Sequence, residues 1–485
     1  MPTGAERFYH DVSLRGPVPD RLLLRVEGDA APDEAVAGRL VGIAEAHARA
    51  FFAREATSFA YAQSFAWLDA LAGREDARHV AGALFEAWAQ GHGRYDARAW
   101  APPLAAARTE HMLRHAPLLL EGRDGPQRER VFGTLIRQAR HLARAARKTQ
   151  NLEARRTPRV VTFARAALGT LALPLASEQE RQVKPPLEAA LSALARGNLP
   201  DAFADPLAAT EAARALFALS QGYAARGLTP PAGLPDALAV LRLLLGGLEV
   251  APGAGLAVLP GGAEGEPRVL GPLSLLRRDE AAPLLERYGY AVARGGETSV
   301  HAALTDAAAG AFALSDGAER IVTAAGMPSP ALRALDETMR EWAQALGRPA
   351  ATAGLDADDL IAVSAETEDA SEGRVMTVTR RGPEGQHQRR LFLEAGGATL
   401  IGEDAAWRGG LTYRFPLHPG VTARAAGAGR AVLTLPGGRS WRVETAHGRL
   451  EVEDGIYSGG GVPVPTRQLV LTAEREGVRW ALRRT

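Results

Sequence analysis

The feature that most constrains this chain is a change of hydrophobic period partway along it. From about Pro32 to Leu248 apolar residues return at helical spacing, and from about Val258 onward they alternate with polar residues as in a strand. A helix buries one stripe and a strand one face, so the two halves call for different packing partners. The expected fold class is therefore multidomain α+β, with an all-α domain over 1–255 and an antiparallel β-sandwich domain over 256–485.

Proline and glycine clusters cut the first half into about eight segments of helix length. In 128–147 the residues Val131, Leu135, Ile136, Ala139 and Leu142 form an apolar stripe with arginines around it, and 186–195 carries Leu187, Leu191 and Leu194. Each stripe needs a partner helix. The breaks at 91–93, 102–103, 122–125, 230–231 and 252–255 are short, so sequential helices should lie antiparallel, as in a bundle or a helical toroid.

In the second half strand patterns occur at 374–380, 389–394 and 398–401. Six more follow at 411–417, 431–435, 440–444, 449–453, 467–472 and 478–482. Their spacing, with turns such as Pro436-Gly437-Gly438, points to an antiparallel sandwich. One helical pattern interrupts them at 328–345, carried by Leu332, Leu335, Met339 and Trp342.

Several function classes are excluded early. Lys+Arg is 57 and Asp+Glu is 56, a net charge of +1, so no global field draws the chain to nucleic acid. Cysteine is absent, which removes disulfides, thiolate nucleophiles and cysteine-ligated metals. Residues 1–25 mix Glu6, Arg7, Asp11, Arg15, Asp20 and Arg21 without an apolar run, so no secretory signal is visible and a cytoplasmic location is expected. The longest apolar stretch, 238–248, is broken by Arg242 and falls short of the roughly 20 residues a membrane span needs.

The familiar chemical motifs are missing. His111 and His115 stand one helical turn apart without an HExxH pattern, and packing or capping is the expected role. The glycine-rich 259–266, LPGGAEGE, lacks the Lys-Ser/Thr of a phosphate-binding loop and is expected to be a plain loop. No Gly-x-Ser-x-Gly supports a serine nucleophile.

A different set of segments carries a resemblance. In the first half these are SFAWL at 64–68, GHGRYDARAW at 91–100, RHAPLLLEG at 114–122 and RQARHL at 137–142. The second half adds LAVLPGG at 256–262, YGY at 288–290, LIGED at 400–404 and YRFPLHP at 413–419. Trp441, LEVEDGIY at 450–457, QLVL at 468–471 and VRW at 478–480 close the series. In this order they resemble the heparinase II/III-like family of polysaccharide lyases. The resemblance implies an N-terminal (α/α) toroid followed by a C-terminal antiparallel β-sandwich, with a sugar cleft between them.

It also implies a chemistry, β-elimination at a uronic acid residue. A proton beside an ionised carboxylate is scarcely acidic until a partner absorbs the developing charge, so such a site needs a neutralising group, a base and an acid. In the family Asn, Tyr and His share these roles. Tyr290 matches the family's Gly-Tyr and is the catalytic candidate. The substrate-binding candidates are Asp205, His92, Trp100, Asp306 and Thr352.

Departures from the pattern set the functional expectation. The family's Asn-Pro falls on Asp205-Pro206 without the preceding Asp-Gly-Gly-His, one histidine position is deleted or falls near Asp306, and another falls on Thr352. No structural zinc and no cofactor are therefore expected. A carboxylate in place of the neutralising amide opposes a uronate by about 1–4 kcal/mol at 4 Å, and each lost acid–base group costs about 10²–10⁴-fold in rate.

A lyase whose activity is weak or lost follows from this, and if active it is a carbon–oxygen lyase acting on polysaccharides, with His301 or His92 as stand-in helpers. The alternatives are a non-catalytic carbohydrate-binding or protein-interaction module, favoured by the substitutions at Asp205 and Thr352, or a lyase for a substrate without a carboxylate. Tyr290, Trp67, Trp88, Trp100 and Tyr95 read as core aromatics, with a sugar-stacking floor as the alternative for the tryptophans. The expected partner is an acidic or neutral glycan, with no nucleic acid and no membrane span.

Overall fold

The stripe read at 128–147 is the buried face of a long helix. In the computed structural model that helix spans Gly125–Arg147 and buries Val131, Leu135, Ile136, Ala139 and Leu142. The structure describes residues 4–26, 33–53, 55, 58–147, 159–175, 177–197, 205–260, 262–265, 282–305, 308–341, 360–407 and 411–485. The chain divides into two units. The first holds Met1–Phe203, Ala208–Leu241 and Pro330–Glu337; the second holds Ala204–Leu207, Arg242–Ser329 and Thr338–Thr485.

The first unit is helical. Its elements are α1 (Gly4–Ser13), α2 (Glu34–Ala46), α3 (Ala48–Phe51), α4 (Phe59–Ser64), α5 (Trp67–Ala70) and α6 (Ala77–His92). They continue with α7 (Pro102–Arg114), α8 (Ala116–Leu120), α9 (Gly125–Arg147), α10 (Arg159–Ala172), α11 (Ser177–Ala195) and α12 (Pro206–Ala225). The chain passes to the second unit within α13 (Leu234–Leu248).

Local signals explain several boundaries. Asp33 caps α2 by accepting the Val36 N–H at 3.0 Å, and Pro102 starts α7 where its missing N–H costs nothing. Helix α7 packs against α9 and α10, and α11 packs against both of them, so each apolar stripe is covered by neighbours. The pattern expected from Pro186 instead belongs to a helix that begins at Ser177 and runs through Pro185 and Pro186. Each proline removes a donor to the preceding turn, and the burial of Val183, Leu187, Leu191 and Leu194 along one face outweighs that loss.

Among its described residues the second unit contains α14 (Ala282–Arg287) and three antiparallel sheets. The first sheet is β1 (Tyr290–Gly295), β2 (Thr298–Ala303), β3 (Phe312–Asp316) and β4 (Glu319–Val322), in chain order. The large sheet draws on β5 (Ala362–Ala370), β6 (Gly373–Gly382), β7 (Gly385–Glu394), β8 (Thr399–Ala406), β10 (Thr422–Ala425), β11 (Arg430–Thr434), β12 (Ser440–Ala446) and β15 (Gly477–Arg484). Its order is β10-β11-β12-β15-β8-β7-β6-β5. The third sheet is β13-β14-β9, from β9 (Thr412–Pro416), β13 (Gly448–Tyr457) and β14 (Val464–Ala473). The strand patterns read along 374–482 therefore match observed strands within a few residues.

Side chains of all three sheets meet in one core that includes Val300, Leu314, Met376, Leu400, Tyr413, Leu433, Trp441, Leu450, Leu471 and Trp480. Gly402 on β8 is dictated by that packing, since a Cβ there would lie 2.0 Å from the Trp480 ring. The interrupting helix read at 328–345 is represented by α15 (Pro330–Leu335), which belongs to the first unit, where Arg39 bonds Asp336 at 2.6 Å. No described helix is long and apolar enough to cross a membrane.

Candidate functional site

The candidate residues of the second unit are Tyr290 and Asp205. Tyr290 opens β1, is 8% exposed and pairs in register with Ala303. The Gly289 before it sits at φ +83°, where any Cβ would strike the Thr305 hydroxyl at 2.3 Å, so the glycine is required by the entry into the strand. Asp205 is exposed, and its Oδ1 accepts the Leu207 N–H at 2.9 Å at the start of α12. The local role of this carboxylate is to satisfy a helix N-terminus, which also favours its negative charge.

Two candidates lie in the first unit. His92 ends α6 and its Nε2 donates to the Phe52 carbonyl at 2.6 Å, while its own carbonyl accepts Trp100 Nε1 at 2.8 Å. Trp100 is 1% exposed, and Trp67 and Trp88 are fully buried, so these indoles are core aromatics and offer no stacking floor to a sugar. Trp88 donates to Gln63 Oε1 at 2.8 Å and lies under the Arg108 guanidinium. His301, one of the two suggested helpers, is fully buried in β2. Asp306 and Thr352 lie outside the described residues.

Three polar clusters were not legible as sites. In the first unit Glu110, 1% exposed, accepts Arg114 Nη2 at 2.5 Å and also accepts Arg165 Nε; Arg165 reaches on to Glu211 at 2.9 Å. Burial alone would raise the Glu110 pKa, but Arg165 and then Arg114 override it and hold the carboxyl at about 2. Beside it Asp69 meets His115 Nε2 at 2.6 Å and His111 Nε2 at 3.5 Å. The histidine pair thus packs and orders a carboxylate, as its spacing suggested. Among the described residues no group of three or more His, Asp or Glu is arranged to hold a metal ion.

In the second unit Asp404 is fully buried at the centre of the large sheet. Arg389 meets it with two nitrogens at 2.7 and 3.2 Å, His387 Nε2 lies at 2.9 Å, and Trp480 Nε1 donates at 2.8 Å. Burial works against the charged form, but Arg389 and His387 hold the carboxyl at about 2. This cluster has no route to solvent in its own side chains and is a buried clasp between β7, β8 and β15.

The third cluster reaches the surface. Glu264, in the glycine-rich loop, accepts the Tyr457 hydroxyl at 2.5 Å on Oε1, which also faces His418 Nε2 at 3.4 Å, while Arg320 Nη1 lies 3.7 Å from Oε2. The loop is anchored by Leu256 N–H to the Glu264 carbonyl at 2.6 Å and Glu264 N–H to the Gly459 carbonyl at 2.9 Å. The His418 hydrogen bond, against burial and with help from Arg320 and Tyr457, holds the Glu264 carboxyl at about 2. Burial and the facing Glu264 push the Tyr457 phenol up. His418 Nδ1 accepts the Gly420 N–H at 3.3 Å, and the other ring nitrogen faces Glu264. The side chains of His418 and Glu264 are 28% and 27% exposed. Glu264, His418 and Tyr457 lie in segments read from the sequence and Arg320 does not, and only folding brings Glu264 to Tyr457.

Comparison with known proteins agrees with this architecture in the second unit. Residues 277–481 match the family model described as Heparinase II/III-like, C-terminal. That segment is thus similar to a heparinase II/III-like C-terminal domain, the family that the resemblance in the sequence named. No curated protein matches the chain. Among solved structures the chain is similar to a chondroitinase AC lyase studied as enzyme–oligosaccharide complexes, with 9% identity over 98% of this chain and 82% of that one, at a TM-score of 0.46. It is also similar to the Streptomyces coelicolor A3 chondroitin AC lyase in complex with chondroitin sulphate, with 12% identity over 94% and 80% of the two chains, at a TM-score of 0.42.

Proposed function

We propose that this chain is a glycan-directed protein of the polysaccharide lyase kind whose β-elimination of uronate polymers is weak or lost. The observation that carries the reading is Asp205. The position that resembles the family's neutralising Asn holds an exposed carboxylate, already engaged as a helix cap. A uronate brought to within 4 Å of it meets like-charge repulsion of about 1–4 kcal/mol, where the elimination needs the opposite.

The heparinase II/III-like domain at 277–481 supports the glycan class, and Tyr290 in the matched Gly-Tyr remains the catalytic candidate. A non-catalytic carbohydrate-binding role is the second reading, favoured by the burial of Tyr290 and Trp100 and by the carbonyl engagement of His92. The test is incubation of the pure protein with heparan sulphate, alginate and polygalacturonate, followed by ultraviolet absorbance of unsaturated uronide ends. No product, or slow release, is expected. Rapid scission abolished by Tyr290→Phe overturns the proposal.

A further inference from the structure

The large sheet turns one face to the core and the other outward. Leu433, Trp441, Val443 and Leu482 are buried in the shared core, so alternation along the strands sends Val432, Arg442, Glu444 and Arg483 to the opposite face. Register carries that face across four strands: Arg424 on β10 pairs with Val432 on β11, Val432 with Arg442 on β12, and Arg442 with Arg483 on β15. In the next row of the same face Arg430 on β11 pairs with Glu444 on β12.

Charge on these two rows does not balance. Glu444 is shared by three arginines: its Oε2 accepts Arg483 Nη1 at 2.9 Å, and its Oε1 faces Arg442 Nε at 3.2 Å and Arg430 Nε at 3.6 Å. Arg424 is exposed and has no ion pair among the described residues. Four guanidinium groups therefore meet one carboxylate. The three that share it carry about fifteen N–H donors between them against about four acceptor sites on Glu444, and their side chains are 45%, 48% and 63% exposed. Like charges drawn together oppose each other, so a cluster that served only to pin strands would gain from a second carboxylate.

Excess donors and excess positive charge on an exposed sheet face fit a ligand that brings its own anions. The row from β10 to β15 spans three strand spacings, about 14 Å, so the anions must repeat along the ligand. Sulfate and carboxylate groups on a sugar chain do this, and both accept two parallel bonds from a guanidinium. Single-stranded nucleic acid uses aromatic platforms for its bases, and neither row holds an aromatic side chain. An anionic lipid surface is gripped by inserted apolar side chains, and Val432 is the one large apolar residue in the rows.

We propose that Arg424, Arg430, Arg442 and Arg483 form a binding surface for the sulfate or carboxylate groups of an acidic glycan, on a different sheet from Tyr290. The proposal rests on the glycan reading above and gives the chain a hold on an acidic polymer that does not pass through the position of Asp205. Glu444 is here a positioning residue that gathers three of the guanidinium groups.

The test is calorimetric titration of the full chain, at low and high salt, with a heparin hexasaccharide and with tetragalacturonate, beside cellohexaose, a short single-stranded DNA and phosphatidylserine vesicles. At low salt at least one acidic oligosaccharide is expected to bind, and more weakly as salt is raised; the sulfated and carboxylate arms tell which anion the surface takes. Arg442→Gln combined with Arg483→Gln is expected to weaken that binding about tenfold. Glu444→Gln is expected to tighten it about threefold, an opposite sign that a merely structural carboxylate would not give. Arg390→Gln, at an exposed arginine of the same sheet outside both rows, should leave it unchanged. Acidic-sugar binding indifferent to the Arg442, Arg483 and Glu444 variants overturns the surface and leaves the glycan reading standing, as does binding of cellohexaose alone. Tighter binding of the DNA or the vesicles than of either acidic sugar overturns the assignment to a glycan. Failure of every sugar to bind removes both readings.

Discussion

Replacing Glu110 with Gln tests how the helical unit is held together. The side chain is 1% exposed and is shared by Arg114 and Arg165, whose side chains are 9% and 8% exposed. The amide keeps the shape but leaves two buried guanidinium groups with only Asp69, 3.7 Å from Arg114, and the half-exposed Glu211 as counter-charges. The drop of the Glu110 pKa from 4.5 to about 2 corresponds to about 3 kcal/mol. Removing one partner of a buried ion pair independently costs about 3–5 kcal/mol.

The sign follows from the lowered folded pKa. The stabilisation is complete above pH 4.5, where the unfolded chain is also ionised, and disappears as the pH falls toward about 2. Thermal unfolding followed by far-ultraviolet circular dichroism should place the helical transition of the variant about 6–12 °C lower at pH 7. The stability gap between the two proteins, from urea denaturation, should narrow between pH 4.5 and 2. A gap under about 1 kcal/mol at pH 7, or one that does not change with acid, refutes the argument. Adding Arg114→Met and Arg165→Met to Glu110→Met should recover much of the loss, because apolar replacement of a whole buried network is often neutral.

Three other outcomes follow from the same geometry. Asp404→Ala strands Arg389 in the core of the β unit and should cost about 3–5 kcal/mol, seen as a lowered melting transition of that unit by differential scanning calorimetry, with the helical transition unmoved. Gly289→Ala combines a positive φ with a collision against Thr305 and should destabilise the β unit by at least about 1–2 kcal/mol in urea titration. Asp205→Asn retains a capping oxygen for Leu207 and removes the like charge, so calorimetry should record tighter binding of tetragalacturonate, by a factor of about five to several hundred.

The fold was read from the sequence where the controlling interactions are short in range. Helical recurrence of Val131, Leu135, Ile136, Ala139 and Leu142, and alternation along β6 to β15, depend only on each residue's neighbours and on which face is buried. Pro185 and Pro186 show the limit of that logic, because a local breaker was overruled by burial of the whole α11 face.

The candidate site was less legible. Tyr290 and the Asp205 substitution came from resemblance, whereas the buried state of Trp100 and the carbonyl partner of His92 came only from packing. Charge partners are a tertiary choice. Glu110 and Arg165 are 55 residues apart, and Glu264 and Tyr457 are 193 apart. Nothing in the period of either segment encodes which donor a carboxylate will meet. Sequence determined the order of helical and β-rich halves and the similarity of residues 277–481 to the heparinase II/III-like C-terminal family. Only folding decided which carboxylates were sealed into the core, as Glu110 and Asp404 are, and which stayed partly exposed, as Glu264 is, because desolvation and pairing are set by what long-range packing brings alongside.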